Sequence, residues 1–199
     1  MSNFTNKSKH SKYTTTNPIS IYLINRFFDK VKSILNTLRF ENILDAGCGE
    51  GLLLSHLKND LSGRKIQAID LDPLEIETAK KNIPFAECQT ASIYELPFKN
   101  SEFDLVLCME VLEHLDNPVN ALKELSRVSK KYCLLSVPNE PVWRILNILR
   151  GSYITKLGNT PGHINHWSSK AIEKLVNNSF NIIKIEKSLP WTILLCEKK

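Results

Sequence analysis

Ile43-Leu44-Asp45-Ala46-Gly47-Cys48-Gly49-Glu50-Gly51 decides the fold. The apolar stretch 42–46 reads as a short strand that ends in an acid and three closely spaced glycines, and Leu52, Leu53, Leu54 and Leu57 begin a helix behind them. A strand, a tight turn and a helix make half of a parallel crossover unit. Glycine allows the chain to turn with positive φ and to approach a ligand closely. The start of a helix adds free N–H groups and a partial positive charge. The spacing here is G-x-G-x-G. In the dinucleotide fingerprint the third glycine would fall at Leu52, so the turn argues against a nicotinamide-dependent oxidoreductase.

The same rhythm repeats outward from this turn. Downstream come a strand at 65–70, a helix at 73–82, a strand at 85–88 and a continuous apolar run at 103–109 suited to a buried central strand. A helix follows at 118–128, capped by Asn117, then a strand at 132–137 and a late helix at 168–178. Two final strands, 180–187 and 191–197, are joined by a turn at 188–190 and are close enough to pair antiparallel. Upstream, Asn17-Pro18 caps an amphipathic helix that carries Ile21, Ile24, Phe27, Phe28, Val31, Ile34, Leu35 and Leu38 at helical spacing. The pattern predicts an α/β fold with a mainly parallel seven-stranded sheet, an antiparallel last strand and helices on both faces. One domain is expected over 17–199, behind a flexible polar tail at 1–16. The stretch 139–167 breaks the rhythm and is expected to form a cap on the side where such sheets bind ligands.

Composition narrows the partners. The chain has 199 residues, 42% hydrophobic and 24% charged, which suits one globular core. Its net charge is +5, but Lys7, Lys9 and Lys12 lie in the tail and leave only +2 for the rest, which argues against a nucleic-acid partner. No apolar run approaches the ~20 residues needed to span a bilayer. The N-terminus lacks the apolar core of a secretion signal, so a cytoplasmic location is expected, with peripheral membrane contact left open. The five cysteines show no C-x-x-C spacing, and Cys108, Cys133 and Cys196 sit in apolar runs as buried thiols.

A second acid, Asp70, closes the 65–70 strand about 20 residues past the turn, where a carboxylate can accept hydrogen bonds from ribose hydroxyls. With it a family resemblance emerges. The stretch 43–51 resembles the first motif of class I S-adenosylmethionine-dependent methyltransferases, and Ala68–Pro73 resembles the second. Glu95–Phe98 and Ser101–Cys108 resemble the third and fourth, so the similarity runs in order over roughly 40–138. It implies a Rossmann-like methyltransferase fold and S-adenosyl-L-methionine as cofactor. It implies that Gly47 and Gly49 lie by the methionine half, with Asp45, Cys48 and Gly51 in the same turn. Asp70 would hold the ribose and Leu71 would pack on the adenine. Ser92 and Ile93 would line the adenine, although Ser92 stands where the family often has Asp. Met109 and Glu110 would reach the reacting end.

Beyond the apolar run, Glu110-Val111-Leu112-Glu113-His114 spaces two acids and an imidazole so that a helix would bring them onto one face. Such a mixed set suits Mg, Mn, Fe, Co or Zn, with positions left open for a substrate oxygen. A further ligand could come from Gly162-His163-Ile164-Asn165-His166-Trp167. E-x-x-E-H, then Pro138-Asn139, then His163 and Trp167 together resemble small-RNA 3′-terminal 2′-O-methyltransferases. That resemblance implies a divalent metal held by Glu110, Glu113, His114 and His163. The first element is also similar to ubiquinone-biosynthesis O-methyltransferases, which act on catechol-like rings and need a divalent cation. Two readings stand open: a metal site, or pocket residues in which Glu110 meets the cofactor and Glu113 and His114 hydrogen-bond within the cap. Without metal, His114, His163 or His166 is the candidate general base. His56, among leucines, reads as structural or surface.

The cap mixes Val142, Trp143, Ile145, Leu146, Ile148, Leu149 and Tyr153 with Arg144, Arg150 and Lys156. An apolar helical stripe can face the core or wall an apolar acceptor near anionic headgroups. The expected activity is O-methylation of a small-molecule or lipid-linked acceptor. RNA 3′-terminal 2′-O-methylation and a non-catalytic cofactor-binding subunit are the alternatives.

Overall fold

Side chains that alternate along buried strands build two cores, one on each face of a single sheet. The computed structural model describes residues 17–149 and 153–199; the expected tail at 1–16 and the cap's Arg150 lie outside them. The strands are β1 (Asn42–Ala46), β2 (Lys65–Asp70), β3 (Glu87–Thr90), β4 (Phe103–Met109), β5 (Ser129–Pro138), β6 (Phe180–Ser188) and β7 (Trp191–Lys198). Their order is β3-β2-β1-β4-β5-β7-β6. The first five strands pair parallel, and β7 runs antiparallel between β5 and β6. This is the expected fold. One strand is shifted: residue 85 was expected to begin β3, but Ala86 donates to the Ile83 carbonyl in a turn, and pairing with β2 starts only at Glu87.

The helices are α1 (Pro18–Leu35), α2 (Leu52–His56), α3 (Pro73–Asn82), α4 (Pro118–Val128), α5 (Glu140–Leu149) and α6 (Ser169–Val176). Asn17, Asp72, Asn117 and Ser168 cap α1, α3, α4 and α6 with side-chain oxygens that accept backbone N–H groups. Proline opens three of these helices, where its missing N–H costs nothing. On β4, Leu105, Leu107 and Met109 face one core, with Phe27, Val31 and Ile34 of α1 and Leu54 of α2. Phe103, Val106 and Cys108 face the other, with Leu122 and Leu125 of α4 and Ile172 of α6. A strand buried on both sides is apolar along its buried length, which is why 105–109 is a continuous apolar run, while Asp104 at the entry pairs with Lys130. Cys108, Cys133 and Cys196 are buried free thiols, and burial pushes the Cys196 pKa up to about 12. His56 is exposed and stacks on Phe28 at 4.4 Å.

The chain leaves β1 toward β2 and β3 on one side and returns to β4 and β5 on the other. That reversal opens a crevice at the C-terminal ends of β1 and β4, the position where open α/β sheets take their ligands. Among the described residues no helix is long and apolar enough to cross a membrane.

Candidate active site

The three glycines after β1 serve three purposes. Gly47 has φ 85°, and a Cβ there would lie 2.4 Å from Val111 Cγ2, so the turn is pressed against the segment that follows β4. Gly51 has φ 76°, caps α2, and would place a Cβ 2.8 Å from Ile83 Cδ1. Gly49 looks into space, with Glu75 Oε2 its nearest neighbour at 4.0 Å. The amides of Gly47 and Cys48 donate to the Ile69 carbonyl at 2.8 and 2.9 Å and lash the turn to β2. Asp70 accepts from the Gly49 amide through Oδ2 at 2.9 Å and from the Asp72 amide through Oδ1 at 3.0 Å. A carboxylate has about four lone-pair sites, so Asp70 keeps acceptor capacity for a ligand.

These elements enclose a cavity of about 530 Å³, within the range of small-molecule and cofactor sites. Every residue expected at the cofactor lines it except Gly51, which packs on Ile83 instead. Tyr94 and Glu75, which the sequence reading did not single out, also line it. Asp45 lies at its base, 2% exposed. Burial, helped by the charge of Asp70, raises its pKa to about 7. Burial and the same two acids push the Cys48 thiol well up.

After β4 the structure departs from the expected helix. Glu110 takes φ 60°, which turns the chain out of the strand, and only a single 3-10 turn follows at Leu112–His114. Glu110 therefore does not share a face with Glu113 and His114. Its carboxylate accepts from Ser136 Oγ and Trp191 Nε1, both at 2.8 Å, and it lines the cavity. It lies outside the cluster of converging donors, whereas helical spacing groups it with Glu113 and His114.

Glu113, His114 and His163 do converge. One carboxylate oxygen and one nitrogen of each imidazole lie within 4.8 Å of one another. Glu113 and His163 are buried, and His114 is partly exposed and also lines the cavity. The loop that carries His163 is stapled to the 3-10 turn over about fifty residues of sequence. The Ile164 and Asn165 amides donate to the Glu113 carbonyl at 3.0 and 3.1 Å. Asn165 Nδ2 donates to the carbonyls of Leu115 at 2.6 Å and Leu112 at 3.3 Å. His114 Nδ1 lies 2.8 Å from the Gly162 carbonyl, which fixes the proton on that nitrogen. His163 Nδ1 lies 2.9 Å from Glu140 Oε1, and its Nε2 is buried with no hydrogen-bond partner among the described residues. His163 and His166 do not line the cofactor cavity. His166 Nδ1 stands 3.4 Å from Glu140 Oε2. Burial raises the pKa of Glu140, but hydrogen bonding to His163 and the two imidazoles outweigh it and leave the carboxyl below its usual range.

Glu140 was not anticipated. An acid placed directly after Pro138-Asn139, at the ligand end of β5, was the signal that could have found it.

Residues 44–136 match the family model described as a methyltransferase domain. The ubiquinone biosynthesis O-methyltransferase of Rickettsia bellii is 28% identical over 192 residues, covering 90% of this chain and 78% of the relative. That of Rickettsia prowazekii is 33% identical over 114 residues, covering 55% and 44%. The fold matches magnesium protoporphyrin IX methyltransferase from Synechocystis, crystallised with bound SAH, at a TM-score of 0.69 and 20% identity over 93% of this chain and 89% of that one. It also matches a Pyrococcus horikoshii protein at a TM-score of 0.72 and 17% identity over 96% and 97%.

Proposed function

We propose that this chain is an S-adenosylmethionine-dependent methyltransferase that methylates one of two adjacent oxygens on a small or lipid-linked acceptor beside a divalent ion held by Glu113, His114 and His163. The observation that carries the reading is the convergence of these three donors next to the cofactor cavity, with His114 common to both. The donor set fits a divalent ion. A carboxylate and two imidazoles are a recurrent ligand set for Fe(II), and the same donors suit Mn, Co and Zn. The buried, unpartnered Nε2 of His163 is a lone pair that a cation would satisfy. Metal-ligating histidines characteristically give their other N–H to a carboxylate or a carbonyl, as His163 does to Glu140 and His114 to Gly162.

The chain's own residues then divide the work. The turn at Gly47–Gly49 and the carboxylate of Asp70 receive the cofactor, with Leu71, Ser92 and Ile93 on its adenine side. Glu110, fixed by Ser136 and Trp191, stands at the reacting end. Bound cofactor supplies an activated methyl group, so alignment of the acceptor oxygen in line with it accounts for most of the rate. A bound divalent ion would lower the pKa of the acceptor hydroxyl and hold it in place. His114, on the wall between cavity and cluster, defines where that oxygen sits. Supporting an apolar or lipid-bearing acceptor, α5 exposes Ile145, Ile148 and Leu149 beside the cap.

The test is methyl transfer to catechol and to phenol, each with added Mn, Co, Zn or Mg and with chelator. Catechol is expected to be methylated faster than phenol, and chelation to slow it by about 100-fold or more, with recovery on adding metal back. Equal rates with and without chelator would contradict the metal's part. Cofactor binding without transfer to any oxygen acceptor would favour a non-catalytic subunit.

A further inference from the structure

Glu140 opens α5, directly after β5, and is 3% exposed. It is held there by its own amide, which donates to the Trp167 carbonyl at 3.2 Å. Its two oxygens face two imidazoles of the same loop: Oε1 is 2.9 Å from His163 Nδ1, and Oε2 is 3.4 Å from His166 Nδ1. Among the described residues no lysine or arginine pairs with it. A buried carboxylate without a permanent cation is costly unless the groups around it donate to it. Because the carboxylate can only accept, the Nδ1 of His163 must carry a proton. In a neutral imidazole that leaves Nε2 as the bare lone pair, and Nε2 is the nitrogen with no hydrogen-bond partner in the described residues. The ring is further boxed in by Trp143, stacked at 6.2 Å, and by His114, edge-on at 5.0 Å. Trp143 is in turn fixed by its Nε1 donating to Thr160 Oγ1 at 2.8 Å.

We infer that Glu140 is the positioning residue of the metal cluster: it selects the tautomer of His163 and holds Nε2 toward Glu113 and His114. This rests on the metal reading above. It assigns a task to a side chain that touches none of the reacting atoms, and it ties the first turn of the cap helix to the ligand set. The second oxygen has His166 Nδ1 nearby at 3.4 Å but no hydrogen bond, so the carboxylate's hold on the loop, among the described residues, is the single bond to His163.

The experiment compares wild type with Glu140→Met, which keeps bulk but cannot accept, and Glu140→Gln, whose amide oxygen still can. All three are saturated with S-adenosylhomocysteine. Long-range proton–nitrogen NMR on metal-free protein reads the His163 tautomer, and calorimetric titration with Zn and Co reads metal affinity. The expected result is an Nδ1–H tautomer in wild type and in Glu140→Gln, lost in Glu140→Met. Metal affinity should fall about 10- to 100-fold in Glu140→Met and less in Glu140→Gln, while cofactor affinity stays within about twofold. Unchanged tautomer and metal affinity in Glu140→Met would overturn the inference and leave the metal reading intact. A wild-type His163 that is Nε2–H or doubly protonated would also overturn it, and this reading decides the matter even if Glu140→Met fails to fold. Absence of metal binding by any variant, with the tautomers as expected, would overturn the metal reading and with it the positioning role, leaving only the tautomer assignment standing.

Discussion

The cofactor half of the site and the cap half are built by different means. In the first, Asp45, the glycine turn and Asp70 lie at the ends of two neighbouring strands, β1 and β2, and Gly49 meets Asp70 across 21 residues of sequence. In the second, Glu113 meets His163 across about fifty residues, and Glu140 meets His163 across 23. Strand order brings the residues expected at the cofactor to one end of the sheet. The cluster depends on a set of staples between the 3-10 turn, the loop at 159–167 and the start of α5. The first half should therefore respond to backbone changes, and the second to the loss of single side-chain contacts.

The largest effect expected in the cofactor half is electrostatic. Folding raises the Asp45 pKa from 3.8 to about 7, so the native state holds that proton more tightly than the unfolded chain does. The resulting stability is whole below pH 4 and is lost as pH rises through 7, on the order of 4 kcal/mol in all. Chemical denaturation of cofactor-free protein between pH 4.5 and 8 should show wild type losing stability relative to Asp45→Asn. Parallel curves would break this part of the comparison.

Next in size is the glycine turn. Gly47→Ala combines a left-handed backbone with a clash against Val111 and should cost about 3 kcal/mol in stability and in S-adenosylhomocysteine binding. Gly49→Ala meets open space and should cost about 1 kcal/mol, the backbone penalty alone. Equal losses at the two positions would mean that the Val111 contact does not shape the turn.

The effect expected in the cap half is comparable to that of Gly49→Ala. Asn165→Ala strips the side-chain donor from the Leu112 and Leu115 carbonyls, at a cost of about 1–2 kcal/mol. It should weaken metal binding by about tenfold while cofactor affinity, measured by calorimetry, is unchanged. A matching loss of cofactor affinity would erase the distinction between the two halves.

The same difference explains what could be read in advance. The strands, the caps and the residues that line the cavity were legible because each is signalled locally: an acid at a strand end, glycines in a turn, asparagine before proline. Gly51 shares the turn's spacing but stands outside the cavity lining, against Ile83, a tertiary contact that spacing does not show. The error at Glu110 has a similar origin. Helical spacing grouped it with Glu113 and His114, but its partners Ser136 and Trp191 come from β5 and β7, and they hold the chain at φ 60° where a helix could not start. Glu140 was silent because nothing in the spacing of 139–167 shows that the start of α5 lies against His163.

The central claim is that the ion-binding set is Glu113, His114 and His163 rather than the three-residue face that begins at Glu110. The most direct measurement is calorimetric titration of Mn, Co and Zn into protein saturated with S-adenosylhomocysteine, for wild type, Glu110→Gln and Glu113→Gln. The account predicts stoichiometric binding of one ion by wild type and by Glu110→Gln, and its loss in Glu113→Gln with cofactor still bound. Loss in Glu110→Gln with retention in Glu113→Gln, or no ion bound by wild type, would contradict it.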